Sequence, residues 1–216
     1  MALRDVPKRK YLPAIFFRSA AGSEPVRDWF VRLGRDHQRV IGGDIMSSEI
    51  AWSLCCSVVP RRDLWEIQSR LSGKQTARLL VTLHDHRLVL LHGLVRKEEL
   101  SDRDLDLAVR RQQEVVNGGH KRHFGSFFDR HLEKAGTFEE DTLIAWKRVL
   151  ALEVTEAMRK QGITKSEMAK RMATSRSQLD RFLDPDNLSV LLETLHKAAL
   201  VLGKRLSINL IDEPRR

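Results

Sequence analysis

The sequence is poor in cysteine and has no long apolar run. The only two cysteines among its 216 residues are the neighbours Cys55 and Cys56, which can build neither a disulfide framework nor a cysteine-paired zinc site, so we interpret both as small buried residues. No apolar run approaches the roughly 18 to 20 residues of a membrane-spanning helix. The first residues, MALRDVPKRKYLPAIFF, lack the apolar core of a signal peptide. These absences predict a cytoplasmic chain without a metal or a cofactor.

Charge of both signs is abundant instead. Hydrophobic residues make up 42% and charged residues 31% of the chain, as in a soluble globular protein that buries a core. The net charge is +9; residues 1–116 hold 20 basic and 15 acidic residues, and residues 117–216 hold 18 and 14. Both parts are therefore basic. This balance favours a polyanionic partner such as nucleic acid, with a merely solvated basic surface as the alternative.

The first half has the pattern of a small α+β unit. SEPVRDWFVRLG predicts a helix that ends at Gly34, and a second helix pattern runs over 36–54. A final amphipathic helix begins at Ser101. Apolar runs separated by short turns predict strands, the last three forming an antiparallel meander, at 11–17, 64–71, 76–85 and 87–95. We expect two helices packed on a small antiparallel sheet, plus a C-terminal helix.

The pattern changes in the middle of the chain, at VVNGGHKRHFGS. Asn117, Gly118 and Gly119 end the preceding helix as a C-cap does, and the basic HKRH that follows has no periodicity. We interpret 117–124 as a linker between a domain at 1–116 and a second domain at 125–216.

The second domain is expected to be all-α with a helix-turn-helix. Thr164 and Glu167 form a capping-box pattern that begins one helix, and Thr174 or Ser175 caps a second helix that stops before Pro185. An ordinary helical hairpin is the alternative. The alternation in RLSINLI, at 205–211, predicts a short terminal strand. Residues expected to face the core are Met168, Ala169, Met172, Leu179, Phe182 and Leu183, and those expected to contact DNA are Lys165, Thr174, Ser175, Arg176, Ser177, Gln178 and Arg181.

Both halves resemble known families. RVIGGDI, LWEIQSRL, ARLLVTLHDHRLVLLHGLVRK and DLDLAVRRQQEV resemble, in order and spacing, the phage-derived HigB-like branch of the RelE/ParE toxin superfamily over residues 12–116. HFGSFFDRHLEKAG and the sequence from KRVLALEV to SINL resemble HigA-like antitoxins with an Xre-type helix-turn-helix. The resemblance implies a RelE-like, ribosome-dependent mRNA endonuclease bound by an antitoxin that represses its own operon. Here the two would form one chain, neutralised intramolecularly or by domain exchange, and would act as a homodimer.

The chemistry of such a nuclease directs attention to basic residues. Attack by a ribose 2′-OH needs a proton acceptor, a proton donor and fixed positive charge, and requires no metal. If Leu71 and Thr76 flank a turn, Arg70 falls roughly opposite Arg78, and like charges set opposite each other favour an anionic ligand. The predicted catalytic residues are Arg70, Arg78, His92, Arg96 and Lys97, with a satisfied core histidine as the alternative for His92. The predicted RNA contacts are Arg61, Arg62 and Lys74, with a solvated loop as the alternative for the two arginines.

Two departures from the family pattern bear on activity. Gln68 stands where such toxins usually have an arginine, and RKEELSD replaces a lysine-rich turn, with Glu98 and Glu99 in place of positive charge. Both remove cations from the expected RNA-facing surface. The sequence therefore predicts a weakened, neutralised nuclease or, as the alternative, a DNA-binding transcriptional regulator with a catalytically dead toxin-like domain. An artificial fusion is a third alternative, although NGG is unlike a designed Gly/Ser linker.

Overall fold

The computed structural model of the chain describes residues 12–61, 63–96, 99–118, 122–185 and 187–206. Over these residues the protein is an α+β fold with eight α-helices and one mixed sheet of six strands. By packing, the chain divides into two compact units, Met1–Val149 and Leu150–Arg216.

The sheet belongs to the first unit, and its strand order is β2-β3-β4-β5-β1-β6. The strands are β1 (Ala14–Phe17), β2 (Ser57–Val59), β3 (Leu64–Arg70), β4 (Thr76–His84), β5 (Arg87–Arg96) and β6 (Phe124–Phe127). The predicted meander is confirmed, since β3, β4 and β5 pair antiparallel in sequence. The prediction of a purely antiparallel sheet was wrong, because β1 runs parallel to β5. All four residues of β1 are buried, as both faces of an interior strand should be.

Helices cover both faces of the sheet. They are α1 (Pro25–Val31), α2 (Arg35–Cys55), α3 (Asp102–Asn117), α4 (Phe128–Ala135) and α5 (Phe138–Lys160). On one face, α1, α2 and α4 contribute Phe30, Ile41 and Phe128 to a core that includes Phe16. On the other face, α3 packs through Ala108 and Val115 against strand residues such as Leu80. Ser101 and Asp104 begin α3 with a capping box, as the N-terminus predicted at Ser101 requires.

The packing units differ from the domains predicted at 1–116 and 125–216. Strand β6 pairs with β1, and Phe128 and Leu132 of α4 are buried in the core of the first unit. The expectation of an all-α second half was therefore wrong. The physical reason is the free edge of β1, whose unpaired backbone groups are satisfied by one more strand. The boundary between the two packing units falls inside α5 instead. That residues 117–124 join two formerly separate proteins stays a prediction.

The second unit contains the end of α5 and three further helices, α6 (Lys165–Arg171), α7 (Arg176–Leu183) and α8 (Leu192–Val201). Of the residues predicted to face inward, all are buried except Leu183, which is half-buried. Ser175 is the N-cap of α7 and forms a capping box with Gln178. Thr164 caps α6 by accepting the Glu167 N–H with its side chain. The carboxylate of Glu167 does not complete a capping box, because it accepts a hydrogen bond from Arg171 at 2.7 Å instead. The strand predicted at 205–211 lies largely outside the described residues.

The two cysteines are half-buried, so the expectation that both are buried was wrong. Cys55 is the last residue of α2 and Cys56 is its C-cap. Burial raises the pKa of the Cys56 thiol to about 11. Among the described residues, no helix combines the length and apolarity that crossing a bilayer demands, and no group of three or more His, Cys, Asp or Glu side chains is placed to hold a metal ion.

Candidate functional site

A polar surface lies on the α3-side face of the sheet. The strand register places Glu66, Leu80 and His92 in one row across β3, β4 and β5. The next row holds Gln68 and Arg78, and the row after that holds Arg70, Thr76 and Arg96. Residues directly opposite each other in a sheet point to the same face. Four predicted catalytic residues, Arg70, Arg78, His92 and Arg96, therefore share one surface.

The predicted pairing of Arg70 with Arg78 was wrong. Arg78 stands opposite Gln68, and Arg70 stands opposite Thr76. The turn takes up residues 71–75, closed by a hydrogen bond of 2.9 Å from the Leu71 N–H to the Gln75 carbonyl, with a 3-10 turn at Ser72–Lys74. The two arginines are thus diagonal neighbours. The argument from opposed like charges no longer applies to them.

A buried ion pair joins Arg78 to Glu66, a residue absent from the predicted set. Arg78 Nη1 donates to Glu66 Oε1 at 2.7 Å, and Gln68 Nε2 donates to Glu66 Oε2 at 3.0 Å. Glu66 is only 6% exposed. The buried Arg78 Nε has no hydrogen-bond partner among the described residues. An acidic residue within the otherwise apolar start of LWEIQSRL was the signal that could have revealed this pair.

A second polar group connects β5 to the start of α3. His92 Nε2 lies 3.1 Å from Asp104 Oδ1, and Arg96 Nη1 donates to Asp104 Oδ2 at 2.9 Å. Burial alone would raise the pKa of Asp104, but hydrogen bonds from Ser101 and His92 outweigh it and hold that pKa below its usual value. Burial lowers the pKa of His92, and the hydrogen bond to Asp104 only partly offsets this. Asp104 is therefore ionised and His92 neutral near pH 7.

This arrangement can accept a proton beside fixed positive charge. An ionised Asp104 only accepts hydrogen bonds, so Nε2 of His92 carries the proton and Nδ1 keeps its lone pair. Glu66 and His92 flank the central strand, with Cα atoms two strand spacings, about 9 to 10 Å, apart. Arg70 is exposed. A phosphate group bound over this surface would lie near a base, His92, and near the cations Arg70 and Arg78.

The predicted RNA contacts are more scattered. Arg61 is held by α3 through ion pairs of 2.8 Å to Asp102 and 2.5 Å to Asp106. It lines an open cleft of about 850 Å³ together with Arg103 and Arg110. Lys74 is exposed in the β3–β4 turn. Arg62 and the predicted catalytic residue Lys97 lie outside the described residues.

In the second unit, the predicted DNA contacts are grouped on the outside of α7 and the start of α6. Arg176, Ser177, Gln178 and Arg181 are all exposed. The sequence prediction missed Asp180. Its carboxylate accepts a hydrogen bond from Lys165 Nζ at 2.7 Å and another from Arg176 Nε at 3.2 Å. Gln178 Oε1 accepts from Thr174 Oγ1 at 2.5 Å and from the Ser175 N–H at 3.3 Å. The surface is therefore polar and internally ordered.

Comparison of the chain with protein-family models, with curated proteins and with solved structures finds no match in any of the three. Fold alone does not determine function. The function has to be argued from the two surfaces just described.

Proposed function

We propose that the chain is a fused toxin–antitoxin protein. Its first part is a metal-independent mRNA endonuclease that acts on the ribosome, and its second part binds operator DNA and represses its own transcription. The observation that carries the proposal is the common face of Arg78 and His92, with Glu66 and Asp104 holding each in place. The family resemblance of both halves supports the same reading.

The proposed cleavage uses His92 as the proton acceptor. Its lowered pKa keeps the imidazole neutral near pH 7, so Nδ1 can take the proton of a ribose 2′-OH. The 2′ oxygen then forms a bond to the adjacent phosphorus, and the bond from phosphorus to the 5′ oxygen breaks, with the 5′ oxygen leaving with a proton from water. Asp104 then stabilises the imidazolium that forms. Arg78, fixed by Glu66, and the exposed Arg70 supply positive charge to the developing phosphorane. Positioned charge of this kind is what a metal-free phosphoryl transfer requires.

The proposed DNA reader is the α6–α7 pair, used as a helix-turn-helix. The exposed face of α7 carries Arg176 and Arg181, which suit base edges and phosphates in a major groove. One such module reads a half-site, so we propose that a homodimer binds a palindrome with half-sites about one helical turn apart. Operator DNA is then the partner of this half, and the ribosome with its mRNA is the partner of the first.

Expression of residues 1–149 beside the full chain tests the nuclease. A chain ending at 116 would lack β6 and Phe128, which the core of the first unit needs. We expect growth arrest and ribosome-dependent mRNA cleavage from 1–149 and less from the full chain. Arg78→Ala and His92→Ala should lose the activity, whereas Arg32→Ala, a change of the exposed C-cap arginine of α1, should keep it. Equal cleavage by residues 1–149 and its three variants, or cleavage by none of them, would remove the nuclease from the proposal.

A second candidate is a DNA-binding regulator with a catalytically dead toxin-like domain. The observation that favours it is the internal neutralisation of Arg78 by Glu66 and of Arg96 by Asp104. Cations already paired with carboxylates offer less to a phosphate. Operator binding without cleavage from any variant would select this function.

A further inference from the structure

The first unit contains a cavity where the start of α2 meets the end of α4 and the start of α5. Its volume is about 520 Å³, which is in the usual range for a site that holds a small molecule. Phe30 and Leu132, each 2% exposed, give it an apolar wall. Arg78 and His92 are not among its described lining residues, so the cavity is separate from the proposed nuclease surface.

Asp141 lines this cavity with a buried carboxylate that one of its oxygens leaves unsatisfied. The residue is 2% exposed. The Thr137 side chain hydrogen-bonds the carboxylate, but Oδ1 has no partner among the described residues. On the α2 side the carboxylate faces Gly42, where an added Cβ would lie 3.5 Å from Oδ2 and where there is no side chain to donate. A buried acceptor without a donor is costly, so Oδ1 requires a donor from outside the chain, either water or a ligand.

The arginines nearest to Asp141 are bound to other carboxylates. Arg39 Nη2 lies 2.6 Å from Glu140 Oε1, and Arg148 Nη1 donates to Asp44 Oδ1 at 2.6 Å. Burial raises the pKa of Asp141 to about 6, so its carboxyl group is largely ionised at pH 7. A buried negative charge is stabilised far better by a cation than by a neutral donor.

The other charges of the cavity also favour a cation over an anion. The described charged residues that line it are Arg35, Asp36, Arg39, Glu140 and Asp141. These are two cations and three anions, and Asp141 is the only buried one among them. His131 also lines the cavity, but burial lowers its pKa, so it adds no positive charge near pH 7. The interior of the cavity is therefore apolar with one negative charge.

We propose that this cavity binds a small organic cation, a primary ammonium group on an apolar body, with Asp141 Oδ1 accepting from the ammonium group. The apolar body would contact Phe30 and Leu132. An ammonium group suits the site better than a guanidinium, because the planar fork of a guanidinium needs both carboxylate oxygens, whereas an ammonium is a point charge. The site does not depend on the proposed function.

An NMR titration of the isotope-labelled full chain with benzylamine tests the site. This primary amine is an ammonium ion at pH 7. We expect saturable shifts of the backbone amides of Thr137 and Asp141. Benzyl alcohol has the same shape without the charge and should bind roughly tenfold or more weakly, because hydrogen bonds between charged groups are the stronger ones. Benzoate should give no saturable shift at these amides, because its charge has the wrong sign.

The matched variants are Asp141→Asn and Glu139→Gln. Asp141→Asn keeps the shape of the side chain and removes its charge, so the dissociation constant of benzylamine should rise roughly tenfold or more. Glu139→Gln removes an exposed carboxylate of the same helix that is not among the described lining residues, and it should bind as the parent does.

Absence of saturable binding to the parent would mean that water alone satisfies Asp141, and it would overturn the proposal. Equal affinity of the parent and Asp141→Asn would overturn it as well. If Asp141→Asn fails to fold, the comparison of benzylamine with benzyl alcohol on the parent decides, and equal affinities would be the contrary result. Neither cleavage of RNA nor binding of DNA is read, so failure here and failure of the proposed function are distinguishable.

Discussion

The guanidinium of Arg78 and the carboxylate of Glu66 meet at 2.7 Å on neighbouring strands, with side chains 13% and 8% exposed. Two charges buried this deeply depend on each other. Loss of one partner leaves the other desolvated and unpaired, which costs far more than an exposed ion pair contributes. The pair also sets where the cation of the candidate site can lie.

We expect Glu66→Ala to lower the free energy of unfolding by roughly 3 to 5 kcal/mol, the cost of breaking a buried pair. Glu66→Gln keeps hydrogen-bonding atoms near Arg78 and should cost less. Urea unfolding at pH 7 measures both. The control is Glu140→Ala, which breaks a pair with Arg39 in which both side chains are 53% exposed; a loss as small as that of the control would contradict a buried pair.

His92 should make stability depend on pH. Its folded-state pKa is lowered, chiefly by burial, while Asp104, Arg96 and Arg111 are the charged groups that act on it. As the pH drops below about 6.5, the unfolded chain therefore binds a proton at His92 more readily than the folded chain does. The free energy of unfolding should fall over that range. Unfolding in urea at several pH values between 5 and 8 should show a smaller slope in His92→Gln. An unchanged slope would mean that His92 titrates normally.

Asp141 should have the opposite dependence. This residue of α5 is 2% exposed, and its Oδ1 has no hydrogen-bond partner among the described residues. Burial raises its pKa to about 6. The folded chain then binds the proton more tightly than the unfolded chain, so stability should fall as pH rises from about 4 through 6. We expect Asp141→Asn to stabilise the protein by roughly 1 to 3 kcal/mol at pH 7 and to have little effect near pH 4; a loss at pH 7 would contradict this.

Specific DNA binding should depend on α7. We expect Arg176→Ala/Gln178→Ala to abolish binding to the upstream palindrome in a gel-shift titration. Gln178 also completes the capping box of α7, so we expect the same double variant to lower the free energy of unfolding by about 1 kcal/mol. Arg181→Ala should weaken binding without that loss. Arg159→Ala, which removes an exposed cation of α5, serves as the control for charge alone; equal affinity of all variants would exclude α7 as the reader.

The elements that could be predicted from sequence are those with their own local signal. The meander of β3 to β5 has apolar runs between short turns, α3 has a capping serine, and α7 has both a cap and an apolar face. Strand β6 has none of these. Its sequence, FGSF, is short and contains a glycine, and it is a strand because the edge of β1 and Glu24 make it one.

The candidate site was predictable in part for the same reason. The sequence named Arg78 and His92 as candidates, but it did not place them on one face. Their register in the sheet depends on a five-residue turn with positive φ at Gly73 and Lys74. The partners Glu66 and Asp104 come from another strand and from a helix cap. Their roles arise from tertiary contacts, which periodicity along one strand does not encode.

Replacement of Gln68 should reveal whether the site is latent. The Gln68 side chain is exposed and donates to Glu66, the carboxylate that also binds Arg78. We expect Gln68→Arg to add a cation to the row beside His92 and to share Glu66 with Arg78. One fixed cation near a phosphorane is worth on the order of 10²-fold in rate, so cleavage of mRNA on translating ribosomes by residues 1–149 should rise by about that factor at most.

The comparison needs a variant that removes charge from the same surface. Arg70→Ala/Arg78→Ala should cleave less than the parent, because both cations that face the proposed phosphate are gone. If Gln68→Arg gains nothing and the double alanine variant equals the parent, these arginines do not act on a phosphate. The ion pairs with Glu66 and Asp104 would then be structural, and the first unit would serve the DNA-binding half without cleaving RNA.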